Sequence, residues 1–150
     1  FCLHGCHLER QIAITLPGAS GMERMKEIMA GLRKRPPAAL GGLDVLRTRD
    51  YASLTTSTPA TPPVAFPGAK GDLVIFDLAG LPGPHEPAPG RFPPLGNAVA
   101  ARPSGTEPKI KFYLFTAAAP CRGEELAAVK RSLADRLDAL ERDLRGLTGV

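Results

Sequence analysis

The sequence predicts an α+β domain, a small antiparallel sheet with helices on one face, and three observations lead to that class. Two segments carry apolar residues at helical steps of three and four. Between them lie four short runs with the alternation or β-branched content of strands. The connections are mostly of hairpin length, and no period of 20 to 50 residues repeats, so helices and strands are segregated rather than wound together.

The first helix is expected from Ser20. Met22, Met25, Ile28, Met29 and Leu32 share one face, and Ser20 with Glu23 has capping-box spacing. Arg33, Lys34 and Arg35 suit the negative end of a helix dipole, and Pro36 and Pro37 stop it. These three cations also resemble a nucleic-acid patch, but we read them as a solvated helix end. A strand follows at 43–49, then an extended Ser/Thr/Pro connector from Tyr51 to Pro63. The run Asp72-Leu-Val-Ile-Phe-Asp-Leu78 reads as a buried strand. A Pro/Gly-rich loop at 80–96 is long for a compact domain.

Two more strands are expected at 97–102 and 110–116. In the second, Ile110, Phe112 and Leu114 fall on one face, and Lys111, Tyr113 and Phe115 on the other. The last helix carries Leu126, Val129, Leu133, Leu137, Leu140 and Leu144 as a stripe, begins near Glu124 and Glu125, and is expected to stop at Gly146. The domain is therefore drawn over 21–150, with 1–20 as the tail of a preceding domain.

Composition narrows the function classes. With 43% hydrophobic and 23% charged residues the chain can bury a core. Its net charge of +4 favours anionic ligands without choosing among them. The three cysteines, an odd number, argue against a disulfide framework and for a reducing, cytoplasmic setting. No apolar run approaches the roughly 20 residues of a membrane span, and no signal segment opens the chain. The chain opens on Phe1 rather than Met, which we read as a processed or truncated product.

The chemistry concentrates in Ala101-Arg-Pro-Ser-Gly-Thr-Glu-Pro-Lys-Ile-Lys-Phe-Tyr113. As residues alone, these form a tight turn between two strands. Gly105 can take a positive φ that turns successive N–H groups inward, making a concave anion nest. Ser104 and Thr106 add hydroxyl donors, and Arg102 supplies a planar fork for two phosphate oxygens. Pro103 and Pro108 stiffen the ends. Such residues also make an ordinary turn, and residue type alone leaves both readings open.

The run RPSGTEPKIKFY resembles the phosphate-binding loop in the last domain of the α-D-phosphohexomutases, the phosphoglucomutase/phosphomannomutase family. Gly21-Met22 through Gly42, Asp50-Tyr51 and the Leu73–Leu78 run also resemble that region, so the likeness covers about residues 11–144. It implies a fold similar to the TATA-box-binding-protein-like last domain of those enzymes. It assigns Arg102, Ser104, Gly105 and Thr106 to the phosphate of a bound hexose phosphate, with Lys111 as an added charge. Glu107 and Pro108 are expected to shape the loop. The 80–96 insertion departs from the compact turn such enzymes carry.

The same resemblance implies parts that this sequence does not contain. The family transfers phosphate from a phosphoserine in a Thr-Ala-Ser-His-Asn-Pro-like loop and uses Mg²⁺ on an Asp-Gly-Asp-x-Asp-Arg-like loop. It reads the sugar with a Gly-Glu-x-Ser-Gly-like loop; Gly123-Glu124-Glu125 is followed by Ala127 and Ala128 and is a coincidence. The Mg²⁺ ligands and catalytic serine are thus expected in upstream domains, the partners of this chain, and the isolated chain is expected to bind without catalysing. A free-standing module for phosphorylated ligands is the alternative. A nucleic-acid partner is not expected, because no continuous basic stripe with interleaved aromatics is present. Cys2, His4, Cys6 and His7 crowd four potential ligands into six residues, a spacing too cramped for an ordinary zinc site.

Overall fold

The computed structural model describes residues 5–80 and 96–150. Eight strands and two helices follow one another as β1 (Cys6–Thr15), α1 (Gly21–Lys34), β2 (Ala39–Leu40), β3 (Leu43–Asp50), β4 (Thr55–Thr58), β5 (Thr61–Ala65), β6 (Val74–Leu78), β7 (Ala98–Pro103), β8 (Lys109–Ala118) and α2 (Leu126–Thr148). The main sheet runs β1-β8-β7-β6-β3-β4-β5, antiparallel at every pairing, and β2 pairs with β3 off this path. This is the α+β class expected.

One face of the sheet builds the core. Ile12 and Ile14 of β1 lie opposite Phe112 and Ile110 of β8. Leu114 and Phe112 in turn lie opposite Val99 and Ala101 of β7, which face Phe76 and Val74 of β6. These residues form a single buried cluster with Met25, Met29 and Leu32 of α1 and Leu137, Leu140 and Leu144 of α2. Both helices therefore cover the same face. Removing a side chain of the size of Phe76 or Phe112 from water is worth about 1.5–3 kcal/mol, so this layer supplies most of the cohesion.

The opposite face carries no helix and mixes the partly exposed Ile75, Tyr113 and Phe115 with charged residues such as Asp77 and Arg102. A β-bulge in β3 between Val45 and Arg47 re-aims the strand: Val45 stays in the core, Leu46 is exposed, and Arg47 comes opposite Asp77. Asp77 then accepts from both Arg47 Nε at 2.7 Å and the Arg49 fork at 2.8 and 2.9 Å. One carboxylate thus ties two arginines across β3 and β6.

Several expectations are corrected. Residues 6–15, read as the tail of a preceding domain, form β1, paired residue for residue with β8 over its whole length. The expected connector at 51–63 is a hairpin in its second half. The hydroxyls of Thr58 and Thr61 meet at 2.7 Å across its turn, and Pro62 and Pro63 are tolerated because β5 is an edge strand. Ser20 stands at the N-cap position of α1, but its side chain makes no cap bond. Glu23 pairs instead with Lys26 at 3.2 Å.

Arg33 is not part of a solvated helix end. It donates to Asp50 at 3.1 Å and pairs with Asp72, fastening α1 to the far end of β3. Helix α2 continues through Gly146 and ends at Gly149, whose φ of 68° allows its N–H to turn back to the last carbonyls. Its start follows a 3₁₀ turn at Gly123–Glu125, where the Glu125 carboxylate accepts the Arg122 N–H at 2.9 Å. Most of the 80–96 loop, with His85, lies outside the described residues, as do Cys2 and His4.

Candidate functional site

The candidate site is the connection between β7 and β8, the two strands at the centre of the core layer. Their register places Arg102 directly opposite Lys111 and Pro103 opposite Ile110. Ile110 points into the core, so Arg102 and Lys111 point to the helix-free face, side by side. Arg102 is exposed and makes no hydrogen bond or ion pair with any described residue. Its guanidinium is thus presented to solvent from a rigid strand.

The loop at 104–108 is closed by short bonds at its base. The Ser104 N–H donates to the Lys109 carbonyl at 2.9 Å, and the Lys109 N–H donates to the Glu107 carbonyl at 2.8 Å. Its far end is held from outside, because the Leu16 N–H at the close of β1 donates to the Pro108 carbonyl at 2.7 Å. The first turn of α1 also leans on it: buried Gly21 packs against Pro108.

The interior of the loop differs from the expectation in one respect. Gly105 does not adopt a positive φ; the glycines that do are elsewhere. The turn is made by Ser104 instead. Its Oγ accepts the consecutive N–H groups of Thr106 at 3.4 Å and Glu107 at 3.3 Å. Two adjacent N–H groups therefore converge on one side-chain oxygen, where the sequence reading expected a nest made by a left-handed glycine. Both bonds are long and hence weak. Among the described residues no acceptor meets the N–H of Gly105. A Cβ at Gly105 would meet nothing within 4 Å, so its outer side is open.

Of the five residues expected at the site, Ser104, Gly105 and Thr106 form the loop, and Arg102 and Lys111 flank it as strand neighbours. Glu107 and Lys109 carry more of the local electrostatics than the sequence reading gave them. Their side chains form an ion pair across the loop. The Lys109 ammonium beside Glu107 holds its carboxyl below the usual carboxylate range, and the charge of Lys111 pushes the same way. The alternation of cation and anion in Glu107-Pro-Lys109 was the available signal.

A concavity of about 740 Å³ lies elsewhere, between the end of α1 and the β4–β5 hairpin, lined by Arg33, Pro36, Pro37, Thr48, Pro59 and Pro63 among others. Its best-placed cation, Arg33, is already committed to Asp50 and Asp72. It shares no lining residue with the β7–β8 loop, and we place the site on the loop because the uncommitted donors are there. Among the described residues no group of three or more His, Cys, Asp or Glu could hold a metal ion.

The chain aligns over 141 residues, at 28% identity, with a probable phosphomannomutase of Haemophilus influenzae, covering 94% of this chain and 22% of that protein. It aligns over 113 residues, at 29% identity, with a phosphoglucomutase of Staphylococcus aureus strain MSSA476, covering 73% of this chain and 17% of that one. Over most of its own length the chain is thus similar to proteins named phosphomannomutase and phosphoglucomutase. It spans about a fifth of the length of the curated relatives it matches. No protein-family model matches it. No helix among the described residues is long and apolar enough to cross a membrane.

Proposed function

We propose that the chain is the C-terminal, substrate-phosphate-binding domain of a phosphosugar mutase of the phosphoglucomutase/phosphomannomutase type, working in the cytoplasm. The observation that carries this reading is the convergence of the Thr106 and Glu107 N–H groups on one oxygen, beside the uncommitted guanidinium of Arg102. In the unliganded loop that oxygen is Ser104 Oγ. Because its two bonds are long, a phosphate oxygen can take its place and gain charge-assisted bonds in exchange. The Ser104 O–H, which those two bonds leave unused, can donate to the same phosphate. Gly105 leaves the outer side of the loop open to the incoming group.

In the parent enzyme a phosphoserine would pass its phosphate to a hexose monophosphate. The resulting bisphosphate would reorient, and the other phosphate would return to serine. The role of this domain is to hold the phosphate that is not reacting. A cradle of N–H groups and a guanidinium fits that task, because it grips the phosphate and leaves the sugar free to be presented in either orientation. The described residues offer no ligand set for Mg²⁺. The ion and the catalytic serine would belong to upstream domains, and the chain by itself would bind without turnover.

The test is calorimetric titration of the chain with glucose 6-phosphate and with inorganic phosphate. Arg102→Ala is expected to weaken binding roughly tenfold to a hundredfold, the loss of one charge-assisted fork worth about 1.5–3 kcal/mol. Equal affinity in wild type and Arg102→Ala would refute the assignment.

A further inference from the structure

Resting on that reading of the loop, we infer that Glu107 is a built-in competitor for the ligand's phosphate, an internal anion that occupies one cation beside the cradle, Lys109, and is displaced on binding. The loop and its flanks carry three cations, Arg102, Lys109 and Lys111, against the one carboxylate of Glu107. That carboxylate reaches the nearer lysine directly, as an ion pair with Lys109.

The two partners differ in freedom. The Lys109 side chain is 26% exposed and the Glu107 side chain 59%. The lysine stem is therefore held against the protein while the glutamate lies out in solvent, so releasing the pair costs little on the glutamate side. The backbone of the same glutamate is part of the cradle, its N–H directed at Ser104 Oγ. Glu107 thus offers an N–H to the phosphate and a carboxylate against it. A phosphate monoester that reaches the N–H groups comes close to the carboxylate of the same residue. That carboxylate must then swing away, and Lys109 is freed to face the ligand.

The consequence is a grip deliberately weaker than its donors allow. For a bisphosphate that has to leave the cradle and return reversed, a resident anion speeds release by re-pairing with Lys109 as the phosphate departs. Glu107 therefore sets the off-rate and the preference for a dianionic over a monoanionic ligand, because only the dianion outcompetes it well.

The experiment titrates the full chain with inorganic phosphate and glucose 6-phosphate at low salt, comparing wild type, Arg102→Ala, Glu107→Gln and Glu107→Ala, with circular dichroism to establish folding. Both Glu107 variants are expected to bind about three- to tenfold tighter than wild type, the effect of removing one exposed charge next to an anion site. The gain is expected to shrink as salt is raised. If wild type binds, Arg102→Ala does not, and the folded Glu107 variants bind equally or more weakly, the competitor role is overturned while the cradle stands. If wild type and both Glu107 variants fail to bind either probe, the cradle and the competitor fall together.

Discussion

A Cβ on Gly21 would stand 2.9 Å from the Cβ of Pro108 and 2.3 Å from the carbonyl oxygen of Leu16. The first residue of helix α1 is therefore in near contact with the last residue of the candidate loop. Leu16, which donates to the Pro108 carbonyl, closes the triangle. The position of the cradle is thus set by the helix layer as well as by the β7–β8 ladder.

Gly21→Ala tests this directly. The backbone carbonyl of Leu16 cannot yield cheaply, so the added methyl has to move α1 or the loop. Such overpacking typically costs about 1–3 kcal/mol. A lowered midpoint in urea unfolding is expected, together with weaker glucose 6-phosphate binding by the folded protein. Unchanged stability and affinity would show that the loop does not depend on α1.

Ser104→Ala should separate loop order from loop stability. It removes the acceptor of two long bonds, so the loss of stability should stay near 0.5–1 kcal/mol. Phosphate affinity should fall by more than that, because the hydroxyl donor is lost and the Thr106 and Glu107 N–H groups are no longer prearranged. Titration and urea unfolding of the same variant give both numbers, and proportionate changes in the two would argue against a binding role.

Asn97 governs stability at the opposite end of β7. It is buried at 2% exposure. Its Nδ2 donates to the Ala79 carbonyl, and its Oδ1 accepts the Ala117 N–H and Arg136 Nη1, each near 3.0 Å. One side chain thus joins β6, β8 and α2. Asn97→Ala leaves the buried N–H of Ala117 and the partly buried carbonyl of Ala79 without the side chain that meets them, and a loss of about 2–4 kcal/mol in urea unfolding is expected. A loss below 1 kcal/mol would mean that water replaces the side chain.

Acid unfolding should report on Glu141. Its carboxyl is held below its ordinary value of 4.5, first by the hydrogen bond from Arg145 and then by the one from Arg10 of β1. A lowered folded pKa means that the contribution is fully present above the unfolded value and is lost as pH falls through the folded one. Glu141→Gln is therefore expected to flatten the fall in stability below about pH 4.5, leaving less than about 1 kcal/mol of difference at neutral pH, since the group is partly exposed. Parallel stability curves for the two proteins below that pH would contradict the ion-pair account.

The parts of this fold that were legible in the sequence are those where one side of an element is buried on its own account. Ile110, Phe112 and Leu114 alternate with Lys111, Tyr113 and Phe115 because β8 has core on one side only. The leucines of α2 recur at helical steps for the same reason. Strand β1 falls outside the domain drawn from the sequence, although Ile12, Ile14 and Leu16 are buried in alternation. The alternation Ile12-Ala13-Ile14-Thr15-Leu16 is the local signal for it; only its pairing with β8, about a hundred residues away, leaves no mark in a local window. The β4–β5 hairpin was hidden by Pro62 and Pro63, which a strand tolerates only at an edge that the sequence does not announce.

At the site, the residue types of the loop were legible and its construction was not. Serine hydroxyls and left-handed glycines both turn N–H groups inward, and the sequence holds both at 104–105. The structure uses Ser104 Oγ. The pairing of Arg102 with Lys111 follows from a register that only the folded hairpin defines.

The long pairing of β1 with β8 also dictates how this protein can be cut. A boundary drawn just before helix α1 looks natural, since it keeps both helices and most strands. It would strip ten residues from the margin of the sheet and leave the outer edge of β8 bare. An uncapped edge of that length, beside Tyr113 and Phe115, is a template on which a strand of another molecule can add. Recombinant versions that begin after Thr15 should therefore clump rather than fold, whereas versions that retain Cys6 onward carry their own protection against it.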